Sequence, residues 1–235
     1  MNSVLASGWR STPAGEPSDL PTPLFQDVLS FAFFHFMIHP HTEVRYISKD
    51  KGYGLVATQF IPKGTITWVM DALDQVFAPA EVSAMPDAYR EIIDTYTFRD
   101  HKGNFILCWD NARFVNHSFR SNCMTTAYDF EIAIRDIEPG EELTDDYGYL
   151  NITEPFEALP EPGSRRRVVR PDDLLHFHKT WDKKLLAAFR HYNAVEQPLE
   201  PLLRDDVKQK ARGIAAGQEK MDSILNCLYR EALSA

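Results

Sequence analysis

Between residues 43 and 135 the apolar positions come in short runs cut by Gly, Pro, Asp and Asn. Residues 43–47, 53–58, 65–70, 105–109 and 130–135 are rich in Val, Ile, Thr and aromatics, the composition of strands on a half-buried pleated surface. A single longer stretch, 79–96, has helical spacing instead. Many short strands around one helix predict a mainly β domain of small sheets, and not a parallel α/β sheet with helices between its strands.

Beyond residue 165 the period changes. Leu174, Phe177, Trp181, Leu185 and Phe189 recur at three- and four-residue intervals within 171–192, and Asp172 and Asp173 stand where a helix N-terminus favours negative charge. Met221, Ile224, Leu225 and Leu228 extend the pattern through 207–233. Both segments are expected to be helices packed on the β domain, with Pro198 and Pro201 in the connection. At the other end, residues 1–20 mix Ser, Pro, Gly and Asp with few apolar groups and are expected to form a mobile leader. A helix is expected from Thr22, with Pro23 at its first position and Leu24, Phe25, Val28 and Leu29 on one face. The chain thus divides into a leader (1–20), a β domain with its N-terminal flank (21–152), a linker (153–170) and a helical C-terminal segment (171–235).

Composition narrows the compartment and the partners. With 44% hydrophobic residues in 235, a core can form without staples. Cys108, Cys123 and Cys227 have no paired spacing, so they give neither a disulfide framework nor a zinc site and fit a reducing environment. The N-terminus has no basic stretch followed by an apolar run, and the apolar segment 31–38 is too short to span a bilayer and contains His35. The expectation is an intracellular protein, cytoplasmic or nuclear, without membrane contact. A net charge of −9 disfavours unaided binding to nucleic acid and attracts basic, Lys-rich partners. Oligomeric state stays open, because apolar faces on the tail helices serve a dimer as readily as a core.

Three segments concentrate polar or glycine residues. Lys51-Gly52-Tyr53-Gly54-Leu55-Val56-Ala57 is either a plain hairpin or a place where a ligand approaches the backbone closely. Arg113-Phe114-Val115-Asn116-His117-Ser118-Phe119-Arg120-Ser121-Asn122 packs amides, an imidazole and hydroxyls between two strands. Such groups either satisfy one another or hold a polar ligand. Gly140-Glu141-Glu142-Leu143-Thr144-Asp145-Asp146-Tyr147-Gly148-Tyr149 carries paired acids beside hydroxyls. Asp145 and Asp146, as neighbours on an extended chain, point to opposite faces and cannot easily share one ion.

Taken in order, Gly-x-Gly, then Arg-Phe-x-Asn-His-Ser-x-x-x-Asn, then Gly-Glu-Glu-Leu-Thr-x-Asp-Tyr, these motifs resemble the SET domain of protein lysine methyltransferases over residues 43–151. The resemblance implies a fold of small curved sheets in which the second motif is threaded by the third, with S-adenosylmethionine as methyl donor and a lysine side chain in a basic protein or peptide as acceptor. It assigns Gly52, Tyr53, Gly54, Asn116 and His117 to the cofactor and Tyr147 to catalysis, aligning the target amine. It puts Tyr96, Asp145, Tyr149 and Phe119 along the substrate channel. Glu142 is expected to fix the local fold. No metal is required, because the chemistry needs only alignment and a neutral amine.

Two departures stand out. Many SET enzymes bind a structural zinc through a Cys after Asn-His-Ser and three more beyond the domain. Here those positions hold Phe119, Ala158, Pro160 and Arg165, so a zinc-free variant is expected. Asp145 stands two residues before the tyrosine, where many relatives have Phe or Tyr, and leaves the number of methyl groups added undetermined. A rival reading follows: a catalytically weak or inactive SET-fold module that binds cofactor or a basic peptide. A metal hydrolase built on His39, His41, His117 and the Asp145–Asp146 pair is a poorer one.

Overall fold

The computed structural model describes residues 37–230. The expected leader and the helix from Thr22 lie outside the described residues.

The first two strands form a hairpin, β1 (Thr42–Ser48) and β2 (Gly52–Ala57), turned through Gly52 at φ 73°. A side chain there would be strained, so the turn needs glycine. Two further strands follow, β3 (Ile66–Val69) and β4 (Gln75–Phe77). The expected helix 79–96 is broken into α1 (Pro79–Ala84), a 3-10 turn (Asp87–Tyr89) and α2 (Arg90–Tyr96). The cause is Pro86. Its ring crowds the preceding residue out of the helical region, and Met85 is extended at ψ 145°. Then come β5 (Thr97–Arg99), β6 (Phe105–Leu107), β7 (Asn116–His117), β8 (Cys123–Thr125), β9 (Phe130–Ala133) and β10 (Glu142–Asp145).

These strands make three small sheets, ordered β1-β2-β10-β7, β3-β9-β8 and β4-β6-β5. A fourth pairs β11 (Phe156–Glu157) with β12 (Val168–Val169) within the 153–170 stretch. The mainly β architecture of small sheets is as expected from the sequence. Strand β10 is the hub: it runs antiparallel to β2 and parallel to β7, with Thr144 opposite Asn116 and Asp145 opposite His117. Asn122 locks the crossing. Its Nδ2 donates to the Glu142 carbonyl at 2.8 Å, and its Oδ1 accepts from the Thr144 N–H at 2.8 Å.

The C-terminal part is helical: α3 (Asp173–Tyr192) and α4 (Asp205–Ala215). Leu174, Trp181, Leu185, Ala188, Phe189 and Tyr192 bury one face of α3 in a cluster with Ile66, Phe130 and Ile132 of β3 and β9. Each large side chain so buried contributes about 1.5–3 kcal/mol. The period of two in β9 turns Phe130 and Ile132 towards this cluster, while Ala133 joins a second one around Leu55, Ile61, Trp68 and Leu143. Glu131 shares the face of Ala133. The helix expected over 207–233 ends early, because Gly217, at φ 70°, caps α4 in the left-handed region. Met221, Ile224, Leu225 and Leu228 still pack on the core, but from an irregular segment with a 3-10 turn (Ile224–Cys227).

Candidate functional site

Pairing β2, β10 and β7 side by side brings the glycine turn and the Asn-His pair together. Asn116 Nδ2 donates to the Tyr53 carbonyl at 2.9 Å and to Glu142 Oε1 at 2.7 Å, and Lys51 Nζ reaches Glu142 Oε2 at 2.7 Å. Glu142 is therefore a bracket between the hairpin and β7, as its expected structural role requires. A Cβ on Gly54 would lie 2.5 Å from Glu142 Oε1 and 2.9 Å from Asn116 Nδ2, so this glycine is demanded by close packing. Gly52 is different: nothing lies within 4 Å of where its Cβ would be. The Tyr53 ring is exposed, edge-on to Tyr46 at 5.9 Å and to Phe114 at 6.5 Å.

His117 follows Asn116 and faces inward among aromatic rings: Phe119 at 4.5 Å, Tyr147 at 5.4 Å and Phe156 at 5.6 Å between centroids. Burial, with the Arg166 charge adding to it, pushes its pKa down to about 4, so the ring is neutral at neutral pH. Nδ1 accepts from the Tyr147 N–H at 3.2 Å, which leaves the proton on Nε2. The Asp145 carbonyl lies close to the ring, yet Nε2 meets no partner in hydrogen-bonding geometry among the described residues.

Tyr147 opens a 3-10 turn (Tyr147–Tyr149) directly after β10. Its hydroxyl donates to the Val115 carbonyl at 2.7 Å, and burial raises its pKa, so it stays protonated. The same side chain lines a cavity of about 510 Å³. Tyr96, Phe98 and Phe156 give that cavity aromatic walls, and Glu131 and Asp145 also line it. Asp145 and Glu131 are buried carboxyl groups in mutual hydrogen-bond contact, and burial pushes both upward.

Two of the residues expected along the channel lie elsewhere. Tyr149 does not line the cavity: it is 1% exposed, and its hydroxyl contacts Asp145 Oδ1 at 2.8 Å and the Cys123 carbonyl at 3.1 Å while accepting from the Asp146 N–H. The 3-10 turn rotates it away from Tyr147, so it supports Asp145 from behind. Phe119 is also absent from the cavity lining. It packs between His117 and the guanidinium of Arg166, which stands 4.4 Å over its ring.

Arg166 was not singled out by the sequence. Its guanidinium joins two carboxylates, Asp146 and Asp173, and also stacks over Phe177 at 4.5 Å. Asp146 and Asp173 are nearly inaccessible to solvent. Asp146 in turn accepts from the Gly148 N–H at 3.1 Å and so caps the turn that carries Tyr147. The one signal in the sequence was the Arg165-Arg166-Arg167 run in a Pro-rich stretch, which reads equally well as a solvated linker. Among the described residues no three His, Cys, Asp or Glu side chains converge as metal ligands do.

The SET domain family model matches residues 52–148, the span that contains all three motifs, while Phe156 and Arg166 of the site lie beyond it. The chain carries a SET domain. It is 32% identical over 142 residues to a histone-lysine N-methyltransferase specific for H3 lysine-9 from Schizosaccharomyces pombe, covering 52% of this chain and 29% of the relative. It is 30% identical over 129 residues to the histone-lysine N-methyltransferase ash1 of Drosophila melanogaster, covering 49% of this chain and 6% of the relative. The chain thus spans less than a third of the length of these relatives. Among the described residues no helix is long and apolar enough to cross a membrane.

Proposed function

We propose that this chain transfers methyl groups from S-adenosylmethionine to lysine side chains of other proteins. The observation that carries the reading is the position of Tyr147, which joins the two halves of the site. Its backbone bonds His117 beside the glycine turn, and its ring lines the cavity.

The residues around the glycine turn fit the cofactor. Gly52 leaves open space beside a backbone that only glycine adopts easily, and His117 offers a buried Nε2–H in need of an acceptor. Gly52, Tyr53, Gly54, Asn116 and His117 would hold it, Gly54 and Asn116 chiefly by fixing the shape of the pocket. When bound, S-adenosylmethionine supplies a methyl group already activated on sulfur.

The chain's own part is alignment and proton control. Because the Tyr147 hydroxyl spends its proton on Val115, its oxygen lone pairs are left to accept from an amine entering the cavity. An acceptor orients the nitrogen without needing to ionise, which suits a phenol that burial keeps protonated. Tyr96, Phe98 and Phe156 suit the alkyl stem of lysine. Likeness to histone-lysine methyltransferases and a net charge of −9 both favour a basic, Lys-rich segment such as a histone tail as substrate.

The test is incubation with labelled S-adenosylmethionine, histones and a cell extract, followed by mass spectrometry of modified lysines. Label on lysine that disappears with Tyr147→Phe supports the reading. A Tyr147→Phe variant that labels as fast as the parent overturns the role given to Tyr147. The buried acids in the cavity favour a second reading, a SET-fold module that binds a cation without transfer. It predicts calorimetric cofactor or peptide binding with no label on any protein.

A further inference from the structure

Residues 164–191, the end of the linker and nearly all of α3, hold eight Arg and Lys against three Asp in a chain whose net charge is −9. Charge is segregated, and a partner meets the local excess within a Debye length of about 8 Å, not the sum over the chain. Seven of the eight cations are exposed; the eighth is Arg166, clamped between its two carboxylates. None of the seven has a carboxylate within ion-pair distance among the described residues. The three acids of the segment are engaged elsewhere: Asp173 with Arg166, Asp182 with the Ser223 hydroxyl and the Ile224 N–H, and Asp172 with His176 at 3.0 Å. On α4, by contrast, Lys208, Lys210 and Arg212 are each joined to an acid.

The exposed cations form a row. At 3.6 residues per turn, Lys179, Lys183 and Arg190 fall within about 40° of one another on α3, and the rise per residue spreads them over about 16 Å. Leu174, Trp181, Leu185 and Phe189 occupy the opposite, buried face. His176 lies on the same side as the row and lines one concavity together with Arg167 and Arg170, so the row continues from the helix onto the linker. Lys179 and Lys183, four residues apart, repel each other across a helix turn. A polyanion laid along the row would relieve that repulsion.

We propose that this row binds the phosphate backbone of double-stranded nucleic acid without reading its sequence. A duplex presents about one negative charge per 1.7 Å of its axis, and an extended row of cations gains affinity by displacing its condensed counterions. Other polyanions fit less well. A bilayer surface calls for an apolar face to insert, and the apolar face of α3 is buried in the core. A single strand calls for free aromatic rings on which bases stack; here Phe177 lies under Arg166 and Trp181 is buried. An acidic protein would need an apolar centre to its interface, and the large apolar side chains exposed on α3 are two separated leucines, Leu175 and Leu186. The row lies outside residues 52–148 and does not depend on the transferase reading.

The probe is a fluorescently labelled DNA duplex of about 20 base pairs and random sequence, titrated with the full chain by anisotropy at several salt concentrations. Four to six phosphate contacts give a slope of log K against log salt of about −4 to −5, a loss of about 100- to 1000-fold in affinity between about 50 and 200 mM salt. Lys179→Gln with Lys183→Gln and Arg190→Gln should weaken binding at least about tenfold and flatten the slope by about 2–3. Lys49→Gln with Lys102→Gln and Lys220→Gln changes the net charge equally at exposed positions elsewhere and should leave affinity and slope as they are. Circular-dichroism melts check that both triple variants fold, as substitutions at exposed positions should. No binding at low salt, or a slope shallower than about −2, would overturn the proposal on the unmodified chain. An equal effect of the two triple variants would overturn it as well. So would tighter binding to poly-glutamate, to a single strand or to phosphatidylserine vesicles than to the duplex.

Discussion

Replacing Arg166 by alanine leaves Asp146 and Asp173 facing each other in the protein interior without a counter-charge. Their side chains are 2% and 4% exposed, and the arginine itself only 22%, so the cluster is far from a surface ion pair. Removing one partner of a buried pair costs about 3–5 kcal/mol, chiefly because the remaining charge cannot be solvated. The lost stacking over Phe119 and Phe177, at 4.4 and 4.5 Å, adds to it by about 0.5–1 kcal/mol per ring. Partial exposure of the guanidinium argues for the lower part of this range. We therefore expect a loss of about 4–5 kcal/mol near neutral pH, a fall in Tm of about 8–20 °C for a unit of this size.

The sign of the pH dependence makes the assay sharper. In the parent protein burial raises the Asp146 pKa and the Arg166 charge pulls it back. Without Arg166 the folded value rises further above the unfolded one. A group so raised contributes stability that is present below its unfolded pKa and lost as pH rises through its folded pKa. The gap between parent and variant should thus be widest above the carboxylate range and shrink on acidification. His117 acts in the same direction, since it loses the Arg166 charge that helps keep it neutral. Chemical denaturation of both proteins from pH 8 to pH 5 measures the gap, and Asp146→Asn in the Arg166→Ala background should recover part of it. A gap below about 1 kcal/mol, or one that widens in acid, would mean that water reaches the carboxylates and that the cluster is no better than a surface pair.

Further expectations follow from other parts of the molecule. His39 and His117 both titrate at about 4 in the folded chain against 6.5, so the stability they contribute is present above pH 6.5 and lost as pH falls towards 4, by about 3 kcal/mol each; a flat acid limb in denaturation would contradict their burial. Gly54→Ala drives a methyl group into Glu142 and Asn116 and should cost about 1–3 kcal/mol together with cofactor affinity, read by melting and calorimetry. Phe189→Ala in α3 should cost about 3–5 kcal/mol in chemical denaturation, as a member of the shared core; a loss below 1 kcal/mol would separate the tail helix from the β domain. Tyr147→Phe removes the bond to Val115 and should cost only about 1 kcal/mol in stability while eliminating most methyl transfer.

Legibility in the sequence followed length and redundancy of signal. β3, β6 and β9 fall within runs of branched and aromatic residues, β1 and β2 overlap such runs to within a residue at each end, and α3 lies on a sustained helical period. β4, β5, β7 and β8 have two or three residues each, too few for any period to rise above composition, and they exist because a neighbouring strand supplies hydrogen bonds. The break at Pro86 was written in the chain as a proline inside a helical pattern, and the stop at Gly217 as a glycine after one, yet apolar spacing on both sides masked them. In the site, motif order brought together Asn116, His117, Tyr147 and the glycine turn. It had no means of finding Glu131, whose neighbours read as a buried strand, or Arg166, whose partners lie 20 and 7 residues away. Tyr149 and Phe119 were assigned by proximity in sequence to true neighbours of the cavity, and a single tight turn placed each behind the wall instead.

Four consecutive residues connect the tail to the chemistry. Asp145 faces the cavity, Asp146 faces Arg166, Tyr147 returns to the cavity and Gly148 packs against Asp173, where a Cβ would lie 2.8 Å from its Cβ. The alternation means that the segment cannot shift on one side without moving the other. Elsewhere in the family the resemblance puts a zinc cluster beyond this turn; here a guanidinium clamped between carboxylates, with aromatic rings around it and α3 beneath, occupies the region after it. A metal site fixes its ligands by coordination bonds, whereas this cluster depends on burial, and burial depends on the tail remaining packed. Substitutions that loosen α3 from β9 should therefore reach Tyr147 through Asp173, Arg166 and Asp146, lowering turnover before the fold is lost.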